Sequence, residues 1–211
     1  MLLCDPGERL PRPAARAALG LPAEGTCVLL QLGSGNNFDY RAAARRVRGV
    51  LRRHPHATLA VTESPIAQTS GEASAGEVRL RVYPIAGYLA AFDLAVSAAG
   101  YNSFHELLSL AVPTVFVPNE NPMMDAQELR ALWAERQGLA LCVRPHDPYR
   151  MAWALRALLD PARRGELSGR CRALPPCDGA AATARHLGHL AAAVRVPANP
   201  GVPPYTAPRG G

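Results

Sequence analysis

Gly100, Asn102, Ser103 and Glu106 set a glycine, two small polar side chains and a carboxylate close together, just after the apolar run Leu94-Ala95-Val96-Ser97-Ala98-Ala99. A strand that runs through a glycine turn into a helix makes an anion site. A helix opening at Asn102 or Ser103 would present unpaired backbone N–H groups and the positive end of its dipole, and Gly100 has no Cβ to keep a ligand away. Phosphate is the expected guest. Glu106, about one helical turn beyond Ser103, is placed to accept hydrogen bonds from the two hydroxyls of a ribose attached to that phosphate. The same residues also spell a capping box, with Ser103 as N-cap and Glu106 at N3. The two roles can coexist, and both stay open at this stage.

A second unit follows. Val112-Pro113-Thr114-Val115-Phe116-Val117-Pro118 reads as a buried strand, Asn119 to Met124 as a loop, and Asp125-Ala126-Gln127-Glu128-Leu129-Arg130-Ala131 as the start of a helix. Together the two units resemble the C-terminal, donor-binding domain of GT-B glycosyltransferases, in particular the N-acetylglucosaminyltransferase that completes the lipid-linked peptidoglycan precursor and its relatives. The resemblance extends over roughly residues 26 to 160. It implies that Gly100, Tyr101, Asn102 and Ser103 hold the diphosphate of a UDP-sugar. It further implies that Glu106 takes the ribose and that Asp125 and Gln127 meet the sugar hydroxyls. Gly100, Asn102, Ser103 and Glu106 also fit the signature of plant UDP-glycosyltransferases. Ala98 stands where that signature has a phosphate-binding His, and Ala126 separates Asp125 from Gln127, where an acidic residue often directly precedes the Gln.

The first strand ends in a glycine turn, Gln31-Leu32-Gly33-Ser34-Gly35-Asn36-Asn37. A dinucleotide-binding fingerprint would want a further glycine where Phe38 stands, and an acid nearer than Glu63 to the turn. A dehydrogenase is therefore disfavoured. In the resembling family this loop flanks the donor diphosphate, which makes Gly33, Ser34 and Gly35 candidates; the plain alternative is a tight turn. The resemblance also puts Ile85 where the family pairs the uracil base with backbone groups.

The implied reaction is transfer of a hexosyl group, with UDP-N-acetylglucosamine one candidate donor, to an acceptor hydroxyl. No cofactor is expected and no metal, since the sequence lacks a D-x-D. Such a transfer needs a general base, and no residue here is assigned that role. In GT-B enzymes the base and the acceptor pocket usually come from an N-terminal domain. The expected partners are thus a UDP-sugar and either that domain or a separate subunit, as in the two-subunit dolichol-linked enzyme of eukaryotes. The alternatives are a non-catalytic nucleotide-binding regulatory module and a UDP-sugar 2-epimerase-like domain.

Composition agrees with a globular α/β chain. The 211 residues are 48% hydrophobic with no long apolar run, and the opening Met1-Leu2-Leu3-Cys4-Asp5 has no signal-peptide pattern. The expected location is the cytoplasm, with the inner face of the membrane as a variant of that reading. Five scattered cysteines suit neither a disulfide scaffold nor a zinc site. All 23 basic residues are arginine, so Walker A and Schiff-base chemistries, which need lysine, are excluded. Arg41, Arg45, Arg48 and Arg52 recur at helical spacing opposite the apolar Ala43, Val47, Val50 and Leu51. That stripe reads as a solvated face or, as the minority reading, a contact with anionic lipid. Nucleic-acid binding is not expected, because no aromatic side chains interleave with the arginines. His54, His56, His105, His186 and His189 are read as ordinary polar residues.

These residues need a scaffold. The pattern predicts a Rossmann-like, doubly wound parallel sheet of about six strands, at 27–32, 58–62, 78–83, 93–98, 113–117 and 139–143. Helices are predicted over 40–53, 86–92, 103–110 and 125–137, with two more around Met151 to Leu159 and Leu187 to Val194. The donor-binding domain is expected over 26–194, after a Pro-rich lead-in at 1–25 with a short helix at 14–19 and before a disordered tail at 195–211. Ligands of such sheets bind beyond the carboxyl ends of the strands.

Overall fold

The computed structural model describes residues 6–33, 39–63, 76–121, 123, 125–175 and 179–193. Six parallel strands form one sheet: β1 (Thr26–Gln31), β2 (Ala57–Thr62), β3 (Glu77–Leu80), β4 (Leu94–Ser97), β5 (Thr114–Phe116) and β6 (Leu141–Cys142). Their order is β3-β2-β1-β4-β5-β6, so the winding reverses between β1 and β4. The doubly wound, Rossmann-like half-domain read from the sequence is the fold observed.

The central strands β1, β4 and β5 are largely apolar on both sides because helices cover both faces. Successive side chains of a strand point to opposite faces, and the core divides accordingly. Cys27, Leu29, Ala95 and Phe116 pack on one face, Val28, Leu30, Leu94, Val96 and Val115 on the other. The first face is covered by α1 (Arg12–Ala18), the 3-10 helix Ile85–Ala91, α3 (Tyr101–Ser109) and α4 (Gln127–Arg136), through Ala15, Leu89, Phe104, Leu107 and Ala131. The second is covered by α2 (Arg41–Leu51) and α5 (Pro148–Leu159), through Ala43, Val47, Met151 and Leu155. Helix α6 (Pro161–Arg172) gives Leu167 to one face and Cys171 to the other.

Four features differ from the sequence reading. Residues 86–92 were expected as a helix of the ordinary kind and form the 3-10 helix after the cis Tyr83–Pro84 bond. Helix α6 carried no readable apolar stripe, for only Leu167, Ser168 and Cys171 of its side chains are buried; Asp160 caps it by accepting from the Ala162 N–H at 3.0 Å. The lead-in is built into the fold, since Arg16 of α1 is buried and donates to the carbonyls of Ala91, Pro22, Ala23 and Gly25 and to Asp93. The chain divides into two compact units at Cys177, where the sequence reading had run the domain on to 194. Helix α7 (Gly179–Ala193) is the described part of the second unit. No helix among the described residues is long and apolar enough to cross a membrane.

Candidate functional site

The site forms where β1 and β4 diverge. Helix α3 starts at Tyr101, with Gly100 as N-cap at φ −61° and ψ 149°, and the Phe104 N–H donates to the Gly100 carbonyl at 2.9 Å. The N–H groups of Tyr101, Asn102 and Ser103 therefore precede the first intrahelical bond and point out of the helix end. Gly100 is not forced into this geometry, because any residue can adopt it. Its lack of a Cβ matters for another reason: an added Cβ would meet nothing within 4 Å, so the glycine keeps open the space in front of the helix. The capping box expected as one reading does not form. Helix α3 begins two residues before Ser103, which leaves Ser103 at N3 with no side-chain cap at all.

Glu106 is consequently deeper in the helix than a capping glutamate. It is buried, 3% exposed, and lies on the wall of a crevice of about 230 Å³. Asn102 and Ser103 line the same crevice from α3, Gln31 and Gly33 from the end of β1, and Thr62 and Glu63 from the end of β2. Val82, Tyr83, Pro84 and Ile85 close its far side. Gln31 Nε2 donates to Ser103 Oγ at 3.3 Å, which ties the end of β1 to the first turn of α3. Gly33 takes φ +79°, a conformation glycine adopts without strain, with open space where a Cβ would be. The crevice lies beyond the carboxyl ends of the strands, at the point where the strand order reverses, as expected for this class of sheet.

Of the residues expected from the sequence, Gly33, Ile85, Asn102, Ser103 and Glu106 line this crevice, and Gly100 caps the helix at its mouth. Ser34 and Gly35 lie outside the described residues. Tyr101 is exposed and packs its ring edge-on against His105 at 4.5 Å between centroids. Asp125 and Gln127 do not line the crevice. The Gln127 amide is buried in its own loop, its Oε1 accepting from the Asn119 N–H at 3.1 Å and its Nε2 donating to Asp125 Oδ1 at 3.3 Å. To meet a sugar, Gln127 would have to exchange those bonds.

Arg130 was missed. It pairs with Asp125 and donates to the Ala99 carbonyl from both Nε (3.2 Å) and Nη2 (2.9 Å), linking the first turn of α4 to the residue before Gly100. The Arg130 guanidinium and the Gln127 amide together hold the Asp125 carboxyl below its usual range against the opposing effect of burial. Burial, aided by the positive charge of Arg130, lowers the pKa of His105. Gln31 and Thr62 were readable as polar residues ending apolar strands at the carboxyl edge. Glu63, set aside as a ribose acid, has both oxygens engaged, by Arg79 and by Arg81 at 2.5 Å, and these bonds depress its pKa. No group of three or more potential ligands among the described residues is arranged to hold a metal ion.

Residues 70–168 match the model of the glycosyltransferase family 28 C-terminal domain. The chain resembles that domain over this stretch, just under half of its 211 residues. It is 30% identical over 182 residues to the UDP-N-acetylglucosamine–N-acetylmuramyl-(pentapeptide) pyrophosphoryl-undecaprenol N-acetylglucosamine transferase of Clavibacter michiganensis subsp. michiganensis, covering 81% of this chain and 47% of the relative. The transferase of the same name from Acetivibrio thermocellus is 27% identical over 142 residues, 63% of this chain and 38% of that protein. The chain thus spans about half the length, or less, of the curated relatives it matches. Among solved structures, the fold is similar to MurG of Acinetobacter baumannii, with a TM-score of 0.60 at 17% identity over 88% of this chain and 54% of that one. It is also similar to the glycotransferase of kitacinnamycin, with a TM-score of 0.60 at 23% identity over 78% of this chain and 44% of that one. The matched segment runs from before β3 into α6 and includes α3, Glu106 and the Asp125–Gln127 loop.

Proposed function

We propose that this chain is the donor-binding half of a glycosyltransferase that takes a UDP-sugar, with UDP-N-acetylglucosamine the first candidate because the curated relatives are named for it. The observation that carries the reading is the buried carboxylate of Glu106 on the crevice wall, one turn below three outward-pointing N–H groups of α3. In this arrangement the diphosphate sits on the N–H groups of Tyr101, Asn102 and Ser103, where the helix dipole contributes about 0.3–2 kcal/mol. The ribose hydroxyls donate to Glu106, and the base lies toward Ile85. As the sugar leaves, negative charge grows on the diphosphate, and those N–H groups and the Ser103 hydroxyl are already oriented to receive it. The diphosphate is stabilised this way rather than by a metal.

The acceptor and the general base come from a further domain or a separate subunit, so the isolated chain binds donor without turning it over. Buried free thiols at Cys27, Cys142 and Cys171 suit a reducing compartment, and we place the protein in the cytoplasm.

Calorimetric titration of the chain with UDP, UDP-N-acetylglucosamine, UDP-glucose and NAD tests the proposal. UDP compounds are expected to bind in the micromolar range and NAD not to bind. Glu106→Gln, which keeps the shape and removes the charge, is expected to weaken UDP binding by roughly 10- to 100-fold, the equivalent of one to two charge-assisted hydrogen bonds. Equal binding of NAD, or a Glu106→Gln chain that binds UDP unchanged, would reject it.

A further inference from the structure

The arginine stripe read from the sequence is not one solvated face. Arg48 leaves it, pairing with Glu77 of β3 through Nε at 2.6 Å and Nη2 at 3.1 Å. Arg45, Arg46 and Arg53 turn toward α5, where Arg156 joins them, and with His54 they line a groove of about 390 Å³ between the two helices. Ala42, Arg46, Gly49 and Arg53 are three or four residues apart and so share one side of α2 and its C-terminal extension. The residues between the cations are small: Ala42, Gly49 and Ala152, and a Cβ at Gly49 would meet nothing within 4 Å. That is why a concavity exists between helices that otherwise pack closely.

The groove contains no carboxylate. Many other arginines of this chain find acids, as in Arg48 with Glu77, Arg150 with Glu135 and Arg163 with Glu166. Among the described residues none of Arg45, Arg46, Arg53 and Arg156 makes an ion pair. Guanidinium groups gathered in one groove repel one another, and their forks match the oxygens of a phosphate in pairs. The groove shares no lining residue with the crevice at Glu106.

We infer that the α2–α5 groove is a second anion site, one that takes a phosphate or pyrophosphate group held by Arg46, Arg53 and Arg156. The group is either the headgroup of an anionic phospholipid or part of a soluble phosphate ester. The site is independent of the donor reading, because none of its residues serves the crevice.

Arginine side-chain NMR of the full chain locates binding directly, with each Nε–Hε resonance assigned by its single Arg→Gln variant. Pyrophosphate in the millimolar range is expected to shift the resonances of Arg46, Arg53 and Arg156. The triple variant Arg46→Gln/Arg53→Gln/Arg156→Gln is expected to weaken pyrophosphate-dependent thermal stabilisation by at least roughly tenfold in concentration. A control triple, Arg52→Gln/Arg136→Gln/Arg172→Gln, removes the same charge outside the groove and is expected to leave the groove resonances responsive. A second arm sediments the chain with phosphatidylcholine vesicles with and without phosphatidylglycerol. Groove-dependent sedimentation with the anionic vesicles identifies a lipid headgroup, whereas response to pyrophosphate alone identifies a soluble ester. Groove resonances unmoved in both arms, or a control triple as damaging as the groove triple, would overturn the proposal.

Discussion

Arg16 Nη2 donates to Asp93 Oδ2 at 2.8 Å, joining α1 to the residue just before β4, and the same oxygen accepts from the Cys27 N–H at 2.7 Å. The other four guanidinium N–H donors of Arg16 meet backbone carbonyls, so one buried side chain satisfies all five of its donors. Two core strands and the lead-in are thus fastened at one point. Arg16→Ala leaves the partly buried Asp93 with a weaker partner and strips four carbonyls of theirs. It is expected to cost about 3–5 kcal/mol in urea unfolding. Arg12, which meets the other Asp93 oxygen at 2.6 Å but is 43% exposed, is expected to cost no more than about 1 kcal/mol when replaced by Ala.

Gly100 separates binding from folding. Its φ and ψ suit any residue and the space at its Cβ is empty, so Gly100→Val should fold, at a cost of about 1 kcal/mol for a poorer N-cap. The branched side chain then stands where a diphosphate would approach the helix end. Affinity for UDP is expected to fall by at least roughly tenfold in calorimetry while the thermal midpoint moves by only a few degrees. A variant that binds UDP as tightly as the parent would move the phosphate away from α3.

His105 supplies a pH dependence with a definite sign. Burial, with the charge of Arg130 as a smaller contribution, holds its pKa below the ordinary 6.5. The unfolded chain therefore binds this proton more readily than the folded one, and folding stability falls as pH drops below 6.5 toward the folded pKa. Arg130→Gln is expected to raise the His105 pKa without restoring it fully, since burial remains. Imidazole proton NMR titration measures both. A His105 that titrates at or above its ordinary value in the parent chain contradicts the packing described for Tyr101, Phe104 and His105.

The sheet was legible because its central strands β1 and β4 are short, buried runs rich in Val, Leu and Ala, and each strand is separated from the next by a helix-length interval. The site was legible in its types and less so in its geometry. Ser103 looked like the N-cap because hydroxyls usually fill that position, yet Gly100 takes it, and Glu106 moves from a cap into the crevice wall. Arg16 could not be read, since Asp93 lies 77 residues away and four of its acceptors are carbonyls, which carry no sequence signal. Arg130 was hidden likewise by a backbone partner, the Ala99 carbonyl. Helix α6 escaped because Arg and Gly dominate it and its few buried positions are split between two faces of the core.

The outermost strands are β3 and β6, four and two residues long. Glu77 and Arg79 place charge along the first, and the second ends almost as soon as it starts. Borders this brief offer little unpaired backbone for a foreign strand to zip onto, which guards the molecule against edge-to-edge aggregation. A protein that docks on this unit would therefore recognise it through side chains and loops, not by lengthening the sheet.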